Sequence, residues 1–439
     1  MKTLLKNGMV YTPCGFEQKN LLVEDGKVFL SFDLEADSAV NKLEASVDKI
    51  VACDNKYIVP GFVDVHVHLR EPGFFYKETI KTGTMAGARG GYTTICSMPN
   101  VNPAPATLEA LKVQLDIIER DAVIKVIPYG TITSRGDGRS RLADMEELSP
   151  YVLAFSDDGK GIQSKELMEA AMIEAKRLGK VIVAHCEDES LLHNGYIHDG
   201  EYARSHGHRG ISSDSEWVQV MRDVQLAEAL GCRYHVCHVS TAESVEIIRA
   251  AKGRGVGVTC ETAPHYLVLS DADLREEGRF KMNPPLRGAA DRAALIAGIQ
   301  DGTIDMLATD HAPHGEEEKS RGLEKSPFGI VGLECAFPVL YTNLVKRHII
   351  TLDKLLDLLI GAPIRRFNLA GPRNSRIEEG MTADLAILDL DTEFTIDSKT
   401  FLSKGKSTPF DGARVQGHSV LTMVDGKIVY TEGADYANN

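Results

Sequence analysis

Residues 61–70 read Gly61-Phe62-Val63-Asp64-Val65-His66-Val67-His68-Leu69-Arg70, an apolar run that carries two histidines at i and i+2. A β-strand alternates its side chains with a period of two, so both imidazoles share one face of the strand. Two imidazoles so placed can hold a metal ion, although a lone pair of histidines equally suits a surface or a core lining. The rest of the chain decides between these. Seven further apolar runs follow the one at 57–69, at 92–98, 124–132, 152–156, 180–186, 233–239, 256–262 and 305–309. Amphipathic segments of helical period lie between them at 77–89, 107–120, 164–178, 216–230, 241–254 and 289–300. The connection at 133–151 is short and irregular, and its helix is expected to be degraded. Eight strand-then-helix units over about 300 residues are what a (β/α)8 TIM barrel requires. An open doubly wound sheet has less support, because no GxGxxG follows any early strand.

A barrel of this kind carries its chemistry at the C-terminal ends of its strands. The fourth run ends in Ser156-Asp157-Asp158-Gly159, the fifth in Ala184-His185-Cys186-Glu187, the sixth in Val236-Cys237-His238-Val239 and the eighth in Ala308-Thr309-Asp310-His311. Together with the first, five of the eight inferred strands end in His or Asp at one rim. Histidines satisfied inside a core would not gather at one end. Four His with two Asp suit two divalent ions of borderline softness, Zn2+ foremost, with a carboxylate able to bridge them. Such a centre lowers the pKa of bound water and supplies hydroxide for attack on a carbonyl.

The two ends of the chain differ from the middle. Residues 1–56 contain a hairpin signal at Glu24-Asp25-Gly26-Lys27, and the far end adds Ala383–Leu390, 420–424 and Asp425-Gly426-Lys427, all strand-and-turn sequence. They read as halves of one small β-sandwich domain, 1–56 with 371–439, beside a catalytic domain at 57–370. The 439 residues hold 49 Lys plus Arg against 63 Asp plus Glu, a net charge of −14, which argues against broad adhesion to nucleic acid or anionic lipid. Aromatic residues are 6%, with Trp217 the single tryptophan, so stacking on nucleic-acid strands is not expected either. No apolar stretch approaches the roughly 18 residues of a membrane span, and the opening residues lack a signal-peptide core. The eight cysteines are scattered without a paired framework, as expected of reduced thiols in the cytoplasm.

Taken jointly, GFVDVHVHLREPG, CSMPN, DDG, VAHCE, CHVST, KMNPPLR, ATDHAPH and PFGIVG resemble the dihydroorotase family, bacterial type I class, of the amidohydrolase superfamily. The resemblance covers nearly the whole chain. It implies a two-zinc barrel enzyme that reversibly interconverts N-carbamoyl-L-aspartate and (S)-dihydroorotate, a step of pyrimidine synthesis. Position by position, it implies His66, His68 and Asp310 as ligands of one Zn2+ and His185 and His238 as ligands of the other, with Asp158 and a hydroxide between them. Many amidohydrolases bridge instead with a carboxylated lysine. Lys160, in a glycine-flanked turn, reads as a solvated loop lysine, and Asp157 as turned to the opposite face from Asp158. Asp310 is expected to take the hydroxide proton and pass it to the departing ring nitrogen.

Arg70, two residues past His68 and on the same face, suits a bidentate clamp on the substrate carboxylate. The resemblance adds Asn100 and His314 to that clamp, and Asn283 with the backbone at Phe328-Gly329 as partners of the ring amide groups. The charged stretch 315–325 is either a lid or merely solvated. His235 is expected to pack between barrel and helices, and His265 to support the site from behind. A homodimer is implied, and association with an aspartate carbamoyltransferase stays open. Three other readings compete: a hydrolase of hydantoins, dihydropyrimidines or allantoin, a non-catalytic scaffold, and a structural zinc protein. The first usually carries the carboxylated lysine and lacks the Arg70, Asn100 and His314 clamp. The second loses zinc ligands that are all present here, and the third leaves the clamp without a purpose.

Overall fold

The computed structural model describes residues 2–30, 43–369 and 375–434. Strands β1 (Lys2–Thr12), β2 (Gly15–Glu24), β3 (Lys27–Leu30), β4 (Lys49–Ala52) and β5 (Tyr57–Pro60) open the chain. They are followed by β6 (Phe62–Val67), β7 (Tyr92–Ser97), β8 (Lys125–Pro128), β9 (Ile182–Ala184), β10 (Ile197–His198) and β11 (Gly210–Ile211). The remainder are β12 (Tyr234–Val236), β13 (Val258–Thr262), β14 (Met306–Leu307), β15 (Leu385–Thr395), β16 (Arg414–Val424) and β17 (Lys427–Thr431). The architecture is mixed α/β, with parallel strands in the middle of the chain and a largely antiparallel sheet drawn from its ends.

In the middle, β6, β7 and β8 pair in parallel, and a second parallel sheet runs β14-β13-β12-β9. Isolated parallel bridges lie between the two sheets. Gly130 with Phe155 and Phe155 with Ile182 lead from the end of β8 to β9, and Val67 with His311 leads from beyond β14 to β6. The run at 152–156 is thus reduced to the bridge residue Phe155, and the run at 305–309 to Met306–Leu307. Both give way to an aspartate that leaves the ladder, and at Asp310 the backbone turns left-handed with φ 48°.

Helices connect the strands at Ile80–Arg89, Leu108–Asp121, Lys165–Arg177, Asp214–Leu230, Ala242–Gly253 and Ala289–Asp301. Four of them begin where a hydroxyl caps the first turn: Thr79 accepts from Thr82 N, Thr107 from Ala110 N, Ser164 from Leu167 N and Thr241 from Ser244 N. The irregular connection at 133–151 holds a single helical turn, Met145–Leu148.

Two cores flank the parallel strands. Val63, Val65, Cys96, Met98, Tyr129, Val183 and Met306 pack together on the inner side, while Val67, Leu69 and Ile95 pack with the helix residues Ile80, Leu111 and Val245 on the outer side. Val65 and Val67 would share a face in a regular strand, yet they belong to different cores. The register against β7 shifts between Asp64 and Val67, so the alternation breaks there. That irregularity turns His66 inward, where its ring lies 5.0 Å from that of His238.

The run at 57–69 divides. Tyr57–Pro60, which the sequence joins to the first barrel strand, pairs with β1 and β15 instead, and the inward strand begins at Phe62. The terminal sheet runs β17-β16-β15-β5-β1-β2-β3, with β4 also on β1. Two of its tight hairpins use the same dipeptide: Asp25-Gly26 has φ of 49° and 75°, and Asp425-Gly426 has 48° and 77°. The two turns meet at Ala383, which donates to Gly26 O at 2.9 Å and accepts from Gly426 N at 3.0 Å. Val28 of β3 and Met423 of β16 share one apolar cluster, so strands from opposite ends of the sheet cover a common core. The expected junction at 370–371 lies outside the described residues.

Candidate active site

The polar ends of the parallel strands converge on Asp158. Its Oδ1 lies 3.3 Å from His66 Nε2, 3.8 Å from His185 Nδ1 and 3.5 Å from His238 Nε2, and its Oδ2 lies 3.4 Å from His68 Nε2. Asp310 Oδ1 completes the group at 3.1 Å from His68 Nε2 and 3.6 Å from His66 Nε2. Every one of these side chains is buried. Burial penalises charge on Asp158, but the facing histidines, His66 foremost, outweigh it and hold the carboxyl well below the usual range. Arg70, His238 and Asp310 all adopt positive φ, at 60°, 33° and 48°, a costly conformation for such residues and one that concentrates at functional sites.

The hydrogen bonds behind the histidines fix which nitrogen faces inward. His66 Nδ1 lies 2.9 Å from Glu261 Oε1 and His68 Nδ1 lies 2.7 Å from Asn100 Oδ1, so each Nδ1–H is donated away from the centre. With both rings neutral, as metal binding requires, their Nε2 lone pairs point at carboxylate oxygens, acceptor against acceptor. Burial opposes charge on His66, but Asp158 raises its pKa well above the usual value, so without a cation a proton fills that gap. His185 Nδ1 and His238 Nε2 likewise face each other at 3.0 Å. Among the described residues, His66 Nε2 and Asp158 Oδ1 are buried without a hydrogen-bond partner. Such a convergence of lone pairs calls for cations between them, and the donor set of imidazole and carboxylate suits divalent ions. His66, His68 and Asp310 form one group able to hold a metal ion, His66, Asp158 and His238 a second, and His66, Cys237 and Glu261 a third.

A cavity of about 280 Å³ opens over this centre, and all the expected site residues line it except His66, which lies beneath. On the far wall, Arg70 Nε donates to Pro313 O at 3.1 Å and its Nη2 lies 3.3 Å from His314 Nε2, which anchors one edge of the guanidinium and leaves Nη1 for a ligand. His314 is neutral: burial, with Arg70, Lys77 and Lys319 nearby, pushes it down to about 2. It accepts from Lys77 Nζ at 3.1 Å on Nδ1 and donates Nε2–H to Phe328 O at 2.8 Å. Asn283 Nδ2 donates to Glu187 Oε1 at 2.9 Å, while its Oδ1 is buried and without a partner among the described residues. Gly329 N donates to Lys281 O at 3.1 Å, so of the Phe328-Gly329 backbone both the carbonyl of Phe328 and the amide of Gly329 already have protein partners.

Asp157 stands apart from the centre. Its carboxylate accepts from Ile132 N at 2.8 Å, Thr133 N at 3.1 Å, Gly138 N at 3.1 Å and the Thr133 hydroxyl, pinning the loop after β8. Lys160 is exposed. The stretch 315–325 forms two short helical turns, Glu316–Lys319 and Gly322–Lys325. Lys319 is buried and donates to Lys281 O at 3.0 Å and Pro327 O at 2.8 Å, and burial pushes its ammonium down to about 7. Lys281 reaches back to Glu324 O at 2.6 Å. This stretch is therefore latched to the segments that carry Asn283 and Phe328.

Reading the sequence missed three contributors. Glu261 and His235, a fully buried pair on β13 and β12, sit directly behind His66. His235 does pack edge-on against the helical residue Phe367, with ring centroids 4.9 Å apart, but its Nε2 is turned to Glu261. Glu187 links Asn283 to His185, whose Nε2 lies 3.5 Å from Glu187 Oε2. A charged residue inside an apolar strand was the available signal for Glu261.

The family model described as Dihydro-orotase-like matches residues 55–244. The dihydroorotases of Bacillus thuringiensis (strain Al Hakam) and Bacillus cereus (strain G9842) are each 49% identical over 434 residues, covering 98% of this chain and 98% of theirs. Among solved structures, the L-hydantoinase (dihydropyrimidinase) from Arthrobacter aurescens is similar with a TM-score of 0.85 and 27% identity, over 98% of this chain and 96% of that one. A dihydropyrimidinase from Brevibacillus agri NCHU1002, at 23% identity and a TM-score of 0.83 over 99% and 96%, shares the fold.

Proposed function

Because the chain belongs to the dihydroorotase family, we propose that it interconverts N-carbamoyl-L-aspartate and (S)-dihydroorotate in the cavity above Asp158. The observation that carries this is the convergence of four imidazoles and Asp310 on the Asp158 carboxylate, opposite a wall bearing Arg70 and Asn100. Within the family we assign the bacterial type I class, on an aspartate at the bridging position where other amidohydrolases carry a carboxylated lysine. The two parallel sheets and the bridging residues Phe155 and His311 are read as one (β/α)8 barrel that begins at Phe62 rather than at 57, and the terminal sheet, which takes Tyr57–Pro60, as a β-sandwich built from both ends of the chain.

His66, His68 and Asp310 would hold one Zn2+, His185 and His238 another, with Asp158 shared between them. When bound, these ions supply Lewis-acid activation of water and of the amide carbonyl at neutral pH. The chain does the rest. Asp310 takes a proton from the attacking water and delivers it to the ring nitrogen as the C–N bond breaks. Ring closure returns that proton along the same path, by microscopic reversibility. Arg70 pairs with the substrate carboxylate, aided by the Asn100 amide, and His314 joins by sharing the Nε2–H it gives Phe328 O. Asn283 Oδ1, unpartnered among the described residues and facing the cavity, accepts a ring N–H.

Turnover of dihydroorotate, hydantoin and dihydrouracil by the zinc-loaded protein tests this reading. Dihydroorotate should be the preferred substrate, and hydrolysis confined to the other two would overturn it. Cytoplasmic residence and a homodimer belong to the same reading, the former supported by eight cysteines without disulfides, seven of them buried. Fractionation and light scattering check these, and co-purification with an aspartate carbamoyltransferase checks the association left open above.

A further inference from the structure

We propose that Glu261, backed by His235, is a positioning residue that orients His66 and strengthens it as a metal ligand. The inference rests on the reading of His66 as a ligand. Glu261 lies on β13 and His235 on the neighbouring β12, and His66, Glu261 and His235 are 0%, 1% and 0% exposed. Neither Glu261 nor His235 lines the cavity, so neither touches substrate.

The carboxylate is divided between two imidazoles. Oε1 accepts the Nδ1–H of His66 at 2.9 Å, and Oε2 accepts from His235 Nε2. His235 in turn has its Nδ1 2.8 Å from Thr259 Oγ1, two residues before Glu261 on the same strand. Side chains from β6, β13 and β12 are therefore fixed in one chain, His66–Glu261–His235, which ends on Thr259.

A bare carboxylate buried at this depth is costly unless it is paired, and well-packed apolar residues would fill the space without that cost. The arrangement makes sense through its effect on His66. Donation of Nδ1–H to a carboxylate selects one tautomer, holds the ring plane, and leaves Nε2 as a lone-pair donor aimed at Asp158 Oδ1, 3.3 Å away. The partial negative charge passed to the ring raises its basicity toward a metal ion. His235 keeps Oε2 occupied, so that the carboxylate cannot swing away from His66. His68 has a neutral counterpart, the amide oxygen of Asn100 on its Nδ1. The stronger support thus falls on the histidine that sits deepest, out of contact with the cavity.

The test uses the full-length protein loaded with zinc or cobalt, in four forms: wild type, His66→Ala, Glu261→Ala and the isosteric Glu261→Gln. Chelator competition reads metal affinity, the visible spectrum of the cobalt form reads ligand geometry, and kinetics separate kcat from KM. Glu261→Ala should weaken the affinity for one ion by about 10- to 100-fold. It should also shift the cobalt bands and lower kcat while KM for dihydroorotate stays within about twofold. Glu261→Gln keeps the shape and one acceptor oxygen, sets an amide N–H against the other imidazole, which must change tautomer to accept it, and loses the charge, so it should fall between. If Glu261→Ala does not fold, Glu261→Gln decides alone. Wild-type affinity and an unshifted cobalt spectrum in the folded Glu261 variants, with His66→Ala still losing metal, would overturn the inference and leave the metal reading intact. Equal affinity in wild type and His66→Ala would instead remove the reading on which it rests.

Discussion

Two adjacent aspartates should fail in opposite ways. Asp157 accepts three backbone N–H groups and one hydroxyl, all buried, from Ile132, Thr133 and Gly138. Asp157→Ala leaves those donors unpaired. Hydrogen bonds to a charged acceptor contribute about 1.5–3 kcal/mol each, and part of the loss is regained as the loop relaxes and water enters. A net destabilisation of about 3–5 kcal/mol follows, at the upper end for single substitutions. Among the described residues Asp158 accepts no hydrogen bond from the backbone, and four histidines place a ring nitrogen 3.3–3.8 Å from it. Asp158→Ala removes a carboxylate that burial disfavours but the facing histidines stabilise, and should cost the metal-free protein less than Asp157→Ala, while metal content drops by at least one ion per chain. Urea unfolding of the chelated proteins measures the first effect, and elemental analysis after gel filtration measures the second. The reasoning is refuted if folded Asp157→Ala loses metal while Asp158→Ala keeps its full complement.

Arg70→Met should raise KM for dihydroorotate by about 10- to 150-fold, the range expected for losing one charge-assisted pair, with little change for hydantoin, which has no carboxylate; steady-state kinetics on both substrates decide it. Gly329 has φ 132°, and a Cβ there would come within 2.5 Å of Ala312 O, so Gly329→Ala should displace the backbone opposite His314 and cut kcat/KM by an order of magnitude or more without loss of metal. Lys319 imposes a pH dependence. Its folded pKa of about 7 lies below its ordinary value of 10.5, so between those limits the unfolded chain binds the extra proton and stability rises with pH. Unfolding midpoints of wild type should therefore climb from pH 7 toward pH 10 relative to Lys319→Met, and parallel curves would exclude this origin.

The site was legible wherever a polar residue interrupts an apolar run, because a buried strand tolerates histidine or aspartate only with a partner. That is how His66, His68, His185, His238 and Asp310 stood out, whereas the choice of Asp158 over its neighbour Asp157 came from the family resemblance. Helix starts at Thr107, Ser164 and Thr241 were legible for a similar reason, since each hydroxyl precedes an amphipathic segment. What stayed hidden depends on contacts between distant residues. Glu261 and His66 are 195 positions apart, and nothing near either names the other. The break in alternation between Val65 and Val67 comes from pairing with β7 and leaves no compositional mark. Lys319, within Gly315-Glu316-Glu317-Glu318-Lys319, looks solvated until Lys281 O and Pro327 O close around it. Tyr57–Pro60 reads as continuous with the strand after it, because both are apolar; only the partners β1 and β15 separate them.

A net charge of −14 does not decide whether an anion binds, since binding answers to the local field. The cavity has two electrically different walls. Arg70 lines one, with Lys77 behind His314, while Asp158 and Asp310 line the other. Dihydroorotate brings one carboxylate, which suits the Arg70 wall. N-carbamoyl-L-aspartate brings a second, the group that becomes the ring carbonyl, and it must lie against Asp158 and Asp310. Like charges about 4 Å apart repel by roughly 4 kcal/mol at an effective dielectric near 20. Without metal, that repulsion is uncompensated for the open-chain substrate and largely absent for the ring. Removing the ions should therefore weaken N-carbamoyl-L-aspartate by about 100-fold or more and dihydroorotate by much less, as read by calorimetric titration of the chelated protein. Equal losses for the two ligands, or undiminished binding of the dicarboxylate, would mean that the second carboxylate does not sit at the Asp158 wall.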